Sequence, residues 1–265
     1  MTDYGYLAVE ELPDRMVVQL NRPSARNAIS LEMGRELHDV CSRLETDPKP
    51  MLLTGCDGFF AAGADIGELI HRGRHEALAG INSSLFQRIH RLPMPTVAAI
   101  DGYALGGGAE LAYSCDIRVA STTARFANPE PDLGILAGAG ATWRLPALVG
   151  EPLAKLVLLT GHVVEAPEAL SSRLVAAVVP AEQLLTTAHA LIDRMAAMSP
   201  VALRLTKYVM DAGSVHPVAD LLANAALFED SEKQRRMQSF LDRRAARAAS
   251  GGKGAPAPGK DPTHD

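Results

Sequence analysis

Two glutamates of this sequence lie where a carboxylate is unexpected. Glu110 lies two residues after the last of three successive glycines, in the apolar stretch AELAY, and Glu130 lies between two prolines in RFANPEPDLG. A carboxylate among apolar groups is costly unless it is paired or used in chemistry. Taken singly, each glutamate is more often a salt-bridged or capping residue. Twenty residues separate them, so only tertiary folding could make them an acid and a base at one site.

Two glycine-rich segments accompany these glutamates. FAAGADIGEL, at 60–69, follows the apolar run MLLTG, and IDGYALGGGAEL, at 100–111, continues the apolar run TVAAI into a helix-like stretch. Small residues let a ligand approach the backbone closely, and N–H groups at a helix start can donate to developing negative charge. For an isolated glycine run, close packing of a helix on a strand is the simpler explanation. The nearby glutamates favour a functional role for these backbone N–H groups over simple packing, but the residue patterns alone do not pair the two glutamates.

Several other chemistries lack their motifs. Gly106-x-Gly108 has no third glycine at the dinucleotide spacing, and the P-loop, the G-x-S-x-G elbow and H-E-x-x-H do not occur. The eight histidines form no ligand pattern, and His71 and His75 are predicted on a solvated helix face. Cys41, Cys56 and Cys115 form neither a disulfide framework nor a C-x2-C zinc pair. No metal site is therefore predicted, and the cysteine usage fits a reducing, cytoplasmic location.

Composition narrows the class of protein further. The 265 residues carry 26 Lys and Arg against 31 Asp and Glu, for a formal charge of −5, and 47% of them are hydrophobic. This balance is typical of a soluble globular protein. It shows no excess of positive charge of the kind that binds the phosphates of a nucleic acid. No apolar run reaches the length of about 18 residues that a membrane span needs, and the N-terminus does not read as a secretory signal. Neither nucleic acid nor a membrane is predicted as a partner.

The apolar patterns predict an α/β fold. Residues 6–21 read as a strand, a turn and a second strand. Ser30 is predicted to cap a helix that ends before Pro48. The runs at 51–55, 96–100 and 117–121 are predicted as buried strands, while 67–91, the stretch after Gly108 and 152–160 have helical composition. Strands alternating with helices indicate layered α/β packing rather than a helical bundle.

After Pro180 the strand signals cease. Residues 181–198, 200–212 and 217–247 are all predicted as helices, and the last places Met237, Phe240 and Leu241 on one face. We therefore predict an α/β core at 1–200, a helical C-terminal region at 201–248 whose apolar face docks on the core or on a neighbouring subunit, and a disordered Gly- and Pro-rich tail at 249–265.

Four ordered segments resemble the crotonase superfamily, and most closely its enoyl-CoA hydratases. They are LLTGCDGFFAAGADIGEL, PTVAAIDGYALGGGAELAYSCDIRVAS, RFANPEPDLGILAGAGATWRLPALVG and VVPAEQL. The resemblance covers about residues 5 to 245. It implies a spiral of ββα units followed by a C-terminal helical region, assembled as a homotrimer or a dimer of trimers.

The resemblance also implies residue roles. The oxyanion hole falls on the backbone N–H groups of Ala64 and Gly107, which would hold the enolate-like thioester oxygen. Glu110 and Glu130 match the acid/base pair, in which Glu110 deprotonates a water molecule for attack at Cβ and Glu130 protonates Cα. Substrate-binding positions fall on Arg26, Ala62, Asp65, Ile66 and Gly138. Neither a metal nor a redox cofactor is implied, and coenzyme A enters as part of the acyl-CoA substrate.

Some positions depart from the pattern of the superfamily. Ala137 replaces the usual proline before Gly138, and Asp132 could place a third carboxylate near the site. The segment 67–84, which shapes the acyl pocket in the superfamily, is short and basic here, with Arg72 and Arg74. Arg236 stands where a glycine is frequent, and Arg243 and Arg244 match a basic pair that can reach coenzyme A phosphates.

Three functions remain open at this point. The first is an enoyl-CoA hydratase that converts 2-trans-enoyl-CoA to 3-hydroxyacyl-CoA. The second is an isomerase or other acyl-CoA lyase of the same fold that uses one of the two glutamates. The third is a non-catalytic acyl-CoA binding protein, which the presence of both carboxylates disfavours.

Overall fold

A computed structural model describes residues 4–212 and 218–249. The chain divides into two compact units, 1–211 and 212–265. The domain boundaries predicted from the sequence, at 200 and 248, stay predictions. No helix within the described residues is long and apolar enough to cross a membrane.

The larger sheet of the first unit has six strands in the order β1-β2-β3-β5-β7-β10. The predicted hairpin is present, because β1 and β2 pair antiparallel. The other neighbours pair parallel. The strands are β1 Leu7–Glu11, β2 Met16–Leu20, β3 Met51–Thr54, β5 Thr96–Ile100, β7 Ile117–Ser121 and β10 Ala177–Val179.

A second sheet has four very short strands in the order β4-β6-β8-β9. Here β4, β6 and β8 are parallel, and β9 is antiparallel to β8. The chain passes from β3 to β4, from β5 to β6 and from β7 to β8, with helices following each pair. This is the predicted repetition of ββα units. The strands are β4 Phe59–Ala61, β6 Tyr103–Leu105, β8 Arg125–Ala127 and β9 Val164–Glu165.

The helices of the first unit follow most of the predicted spans. The Ser30 side chain caps the first helix by accepting a hydrogen bond from the Met33 amide at 3.2 Å. The predicted helical span 67–91 is instead three helices, because Gly73 and Gly80 interrupt it, with Gly80 at φ +61°. The helices are α1 Leu31–Thr46, α2 Ile66–Leu69, α3 Arg74–Ala79, α4 Ile81–His90, α5 Gly107–Ser114, α6 Ala141–Val149, α7 Glu151–Thr160, α8 Ala166–Ser171, α9 Ala181–Ala196 and α10 Pro200–Asp211.

Apolar side chains cover both faces of the larger sheet. One cluster joins α1, α4 and α5 to the sheet and includes Phe60, Phe86 and Phe126, all fully buried. The other cluster packs α9 through Ala188 and Ile192 onto the opposite face. Burial on both faces explains why the central strand β5 reads as an unbroken apolar run rather than an alternating one.

Within residues 218–249, the second unit forms two helices, α11 Val218–Phe228 and α12 Ser231–Ala249. The predicted single helical span 217–247 is therefore broken at Glu229 and Asp230, where the Asp230 carboxylate accepts a hydrogen bond from the Glu232 amide. The predicted disordered tail lies outside the described residues from 250 onward, and so does the side chain of Arg244.

Gly34 offers a test of helix energetics that does not involve the site. It is buried inside α1, and an added Cβ would meet only Leu85 Cδ2, at 3.9 Å. We expect Gly34→Ala to raise the free energy of unfolding by about 0.5–1 kcal/mol, because alanine loses less backbone entropy in a helix than glycine. Urea unfolding would measure this. Gly58→Ala, at φ +70° in open space, is the control and should lose stability. A lower unfolding midpoint for Gly34→Ala would contradict the packing described for α1.

Candidate active site

The two glycine-rich segments leave neighbouring parallel strands at the same edge of the small sheet. Ala62 to Ala64 follow β4, and Gly106 and Gly107 follow β6. A Cβ placed on Gly107 would lie 3.3 Å from the amide nitrogen of Ala64. The backbone N–H groups of Ala64 and Gly107 therefore lie close together, although they come from separate loops.

Each of these N–H groups is held in place by its surroundings. The Ile29 amide donates to the Gly63 carbonyl at 2.8 Å, and the Asp65 amide donates to the Ile29 carbonyl at 3.1 Å. Because N–H groups alternate sides along an extended chain, the Ala64 N–H points away from Ile29. Gly107 is the first residue of α5, where an N–H has no acceptor within the helix.

Glu110 lies in the first turn of α5 with 3% of its surface exposed. Its Oε1 accepts hydrogen bonds from the backbone amides of Ala139, at 2.8 Å, and Ala141, at 3.1 Å. Burial raises the pKa of Glu110 to about 7, with a further contribution from the charge of Glu130, and the backbone donors oppose this rise. A carboxyl group with a pKa near 7 can both give up and take up a proton near neutral pH.

Glu130 begins a short 3-10 helix, Glu130–Leu133, directly after Pro129. Its side chain is buried, and its Oε1 lies 3.0 Å from the position of a Cβ on Gly106. Its Oε2 has no hydrogen-bond partner among the residues that the structure describes. Burial raises the pKa of Glu130, which favours the protonated acid, and a backbone hydrogen bond of Glu130 offsets part of this rise.

Both glutamates and both backbone donors line one cavity of about 680 Å³. Most of the remaining lining is apolar, and Leu133 and Leu136 stay largely exposed in it. An apolar cavity with a few converging polar groups is the usual form of a small-molecule site. Two N–H donors beside a pair of carboxyls suit a reaction in which an oxyanion develops while protons move.

Comparison with known proteins identifies the family. Residues 15–249 match the family model described as enoyl-CoA hydratase/isomerase. The chain belongs to this family. A short-chain-enoyl-CoA hydratase of Clostridium acetobutylicum is 37% identical over 240 residues, which are 86% of this chain and 91% of the relative.

Two further relatives agree with this assignment. A 2,3-dehydroadipyl-CoA hydratase of Escherichia coli is 39% identical over 197 residues, 74% of this chain and 77% of the relative. The crystal structure of an enoyl-CoA hydratase from Bacillus anthracis superposes with a TM-score of 0.85 at 30% identity, covering 90% of this chain and 96% of that one. The predicted crotonase superfamily, its fold and an enzyme of the enoyl-CoA hydratase/isomerase family are confirmed.

The cavity of this family member brings together most of the predicted site residues and leaves two outside. Arg26 and Asp65 do not line it. The Arg26 guanidinium lies over the Phe59 ring at 5.4 Å, and the Asp65 carboxylate caps α2 and pairs with Arg22 at 2.6 Å. The predicted residues in the lining are Ala62, Ala64, Ile66, Gly107, Glu110, Glu130 and Gly138.

Close packing explains one of the three successive glycines. A Cβ on Gly108 would lie 2.2 Å from the Ala61 carbonyl oxygen. The simpler explanation considered for the glycine run, close approach of a helix to a strand, therefore holds for Gly108. Gly107, by contrast, faces the Ala64 amide and the cavity.

Sequence reasoning missed several residues of the site. The Ala139 and Ala141 amides hold Glu110, and Arg22 holds Asp65, but no local pattern connects these distant pairs. Asn82 lines the cavity, with its amide nitrogen 3.7 Å from the position of a Cβ on Gly107. Asp132, considered as a third carboxylate, is exposed and does not line the cavity.

One group of side chains has the spacing of metal ligands. His90, Asp116 and Asp211 each offer an atom within 4.8 Å of the others. The Lys207 ammonium lies 2.7 Å from Asp116 and already supplies a positive charge there. A bound cation would have to compete with it, so we assign no metal to this group.

The raised pKa of Glu110 has a consequence for stability. Because its pKa rises from 4.5 to about 7 on folding, the folded protein binds this proton more tightly than the unfolded chain. The associated stability is fully present below about pH 4.5 and is lost as the pH rises through about 7. We expect Glu110→Gln to raise the free energy of unfolding by on the order of 2 kcal/mol at about pH 8 and to change it little at about pH 4.5.

Denaturant unfolding at both pH values would measure this effect. Glutamine keeps an oxygen that can accept from the Ala139 and Ala141 amides, so the variant removes charge with little loss of packing. Glu10→Gln, at an exposed position of β1, is the control and should change stability little at either pH. A variant less stable than the wild type at about pH 8 would show that the Glu110 charge is not destabilising.

Proposed function

We propose that this protein adds water to 2-trans-enoyl-CoA thioesters to give 3-hydroxyacyl-CoA. The observation that carries the proposal is the convergence of two buried glutamates and two backbone N–H groups on one cavity. Hydration needs both an acid and a base, whereas a double-bond shift can use a single carboxyl group. The presence of two carboxyls with raised pKa therefore favours the hydratase.

The Ala64 and Gly107 N–H groups hold the thioester oxygen in this proposal. As water adds to Cβ, negative charge moves onto that oxygen and the thioester becomes enolate-like. Fixed donors bind the charged oxygen more strongly than the neutral carbonyl, which lowers the barrier. Because the donors are backbone groups, changes in the shape of the neighbouring residues should disturb them more than loss of a side chain.

Glu110 and Glu130 share the proton transfers. Glu110 takes a proton from the water molecule whose oxygen bonds to Cβ, and protonated Glu130 gives its proton to Cα. Atoms and charge balance, because water supplies the hydroxyl group at Cβ and the pair of carboxyls loses one proton and gains one. A pKa of about 7 for Glu110 suits this base at neutral pH.

The remaining assignments complete the proposal. Ala62, Ile66 and Gly138 line the cavity, and Gly138 would help to place the water molecule and the substrate. Asp65 and Ile66 are assigned to the adenine of coenzyme A, and Arg26 is assigned to the entry of its chain. The reaction as written uses no metal or redox cofactor. A homotrimer or a dimer of trimers and a cytoplasmic location are also proposed, the latter on the sparse, unpaired cysteines.

Loss of the conjugated thioester absorbance with crotonyl-CoA and longer enoyl-CoAs tests the function. The proposal predicts turnover to the 3-hydroxyacyl product. Incubation with a 3-enoyl-CoA separates the alternatives, because an isomerase would release the 2-enoyl-CoA. Tight binding of coenzyme A esters with no product from any of them would indicate a binding protein instead.

The identity of the acyl group is a separate question. The names of the two relatives concern a short-chain acyl group and an acyl group with a free carboxylate at its far end. Family membership therefore does not determine which group stands at the far end of the acyl chain. The residues that line this cavity determine which acyl group the protein prefers.

A further inference from the structure

We propose that Arg72 binds a carboxylate at the far end of the acyl chain, so that the preferred substrates are 2-enoyl-CoAs with a terminal carboxylate. This inference rests on the proposed function, because it assumes that an acyl-CoA occupies the cavity. It concerns a different part of the substrate from the reacting carbons.

Arg72 is the only basic side chain that lines the cavity, as far as the structure describes the chain. It follows α2 and precedes α3, and its side chain is only 13% exposed. Its Nε is buried and has no hydrogen-bond partner within residues 4–212 and 218–249. Burying part of a guanidinium without satisfying its donors is costly. The buried Nε is out of reach of a ligand, so a ligand in the cavity would accept from the terminal nitrogens of Arg72.

The neighbouring Glu68 does not saturate Arg72. Its Oε2 lies 3.4 Å from one terminal nitrogen of Arg72, which is a long contact, and the same oxygen accepts from the Leu31 amide at 2.8 Å. Glu68 itself does not line the cavity. A guanidinium is a planar group of N–H donors that fits a carboxylate. Among the residues that the structure describes, one terminal nitrogen of Arg72 has only the long contact to Glu68, and the other terminal nitrogen is left for a ligand.

The other charges in the cavity set the expected strength of this contact. Glu76 lines the cavity near Arg72, is exposed, and accepts from the Gly73 amide at 2.8 Å. Its negative charge opposes a bound anion, so the gain is modest. The nearby lining from Leu69, Ala77 and Ile81 is apolar and suits the methylene groups of an acyl chain.

A coenzyme A phosphate is a second anion that this guanidinium could bind. The two sources differ in a measurable way, because every acyl-CoA carries the phosphates and only some carry a terminal carboxylate. Adipyl-CoA and hexanoyl-CoA form a matched pair, since they differ only in a carboxylate in place of the terminal methyl group, and neither has a double bond to hydrate.

Titration calorimetry with this pair tests the proposal. We expect the wild type to bind adipyl-CoA on the order of 10-fold more tightly than hexanoyl-CoA, because a charge-assisted hydrogen bond typically contributes an affinity difference of this size. Arg72→Met should abolish the preference, and Arg72→Lys should retain part of it. Arg74→Met is the matched control, because Arg74 is exposed in the same segment and does not line the cavity; it should keep the full preference.

Equal binding of the two ligands by the wild type would overturn the proposal without any variant. An equal weakening of both ligands in Arg72→Met would also overturn it and would assign Arg72 to the phosphates. The same comparison with 2,3-dehydroadipyl-CoA and 2-hexenoyl-CoA should show the preference in kcat/KM. If hydration fails with every enoyl-CoA while the binding preference persists, the proposed function is wrong and the Arg72 site stands.

Discussion

Gly107→Ala is expected to lower kcat/KM for crotonyl-CoA by about 10²- to 10³-fold while the protein stays folded, the loss that removal of one oxyanion donor typically causes. The new methyl group would lie 3.3 Å from the Ala64 amide and 3.7 Å from Asn82 Nδ2, where the substrate oxygen is proposed to bind. The backbone of Gly107 is helical and its φ is not positive, so alanine fits the chain at this position.

Gly108→Ala, at the next residue, is compared with Gly107→Ala because it should reduce stability as well as activity. Its methyl group would lie 2.2 Å from the Ala61 carbonyl oxygen, so α5 or β4 must move. We expect a loss of about 3 kcal/mol in the free energy of unfolding together with the loss of activity. Urea unfolding and steady-state kinetics on both variants separate the two effects. Wild-type activity in a folded Gly107→Ala protein would show that no oxyanion binds between Ala64 and Gly107.

Glu110→Gln and Glu130→Gln are each expected to lower kcat for hydration by about 10²- to 10⁴-fold, the range typical for loss of a general acid or base. Glutamine preserves shape and hydrogen-bond acceptors but cannot exchange a proton. Unfolding cannot account for the loss in Glu110→Gln, since that variant is expected to be more stable than the wild type near neutral pH. Steady-state kinetics with crotonyl-CoA would measure both losses.

Two further observations sharpen this prediction. Because Glu110 must be deprotonated to act as the base, wild-type kcat/KM should fall as the pH drops below about 7, the value to which burial raises its pKa. Asp132→Asn is the control, because Asp132 lies in the same 3-10 turn as Glu130 but is exposed outside the cavity. If Asp132→Asn lost as much activity as Glu130→Gln, the assignment of the acid would be wrong.

The sequence predicted five of the six strands of the larger sheet, because these strands carry strong local signals, and it did not predict the short edge strand β10. Strands β3 and β5 are buried along their whole length, which yields continuous apolar runs bounded by Gly or Pro. Strands β4, β6, β8 and β9 have only two or three residues each, too few to show a period of two. Their pairing depends on tertiary contacts, so the second sheet could not be derived from residue patterns.

The site shows the same division between local and tertiary signals. The glycines and the two glutamates could be recognised because their types are unusual in their immediate surroundings. The hydrogen bonds that lower the pKa of Glu110 come from Ala139 and Ala141, about thirty residues away. Backbone amides donate them, and because every residue type except proline has such an amide, the residue types do not reveal these bonds. Arg72 was visible as a basic residue, but only the fold shows that its largely buried side chain lines the cavity.

Hydration of crotonyl-CoA in ¹⁸O-labelled water, followed by mass spectrometry of the thioester product, tests the central claim most directly. The wild type is predicted to form 3-hydroxybutyryl-CoA with one labelled oxygen at Cβ, and Glu110→Gln and Glu130→Gln are predicted to form almost none in the same time. Unlabelled or unchanged thioester from the wild type, or equal labelling by all three proteins, would contradict the account.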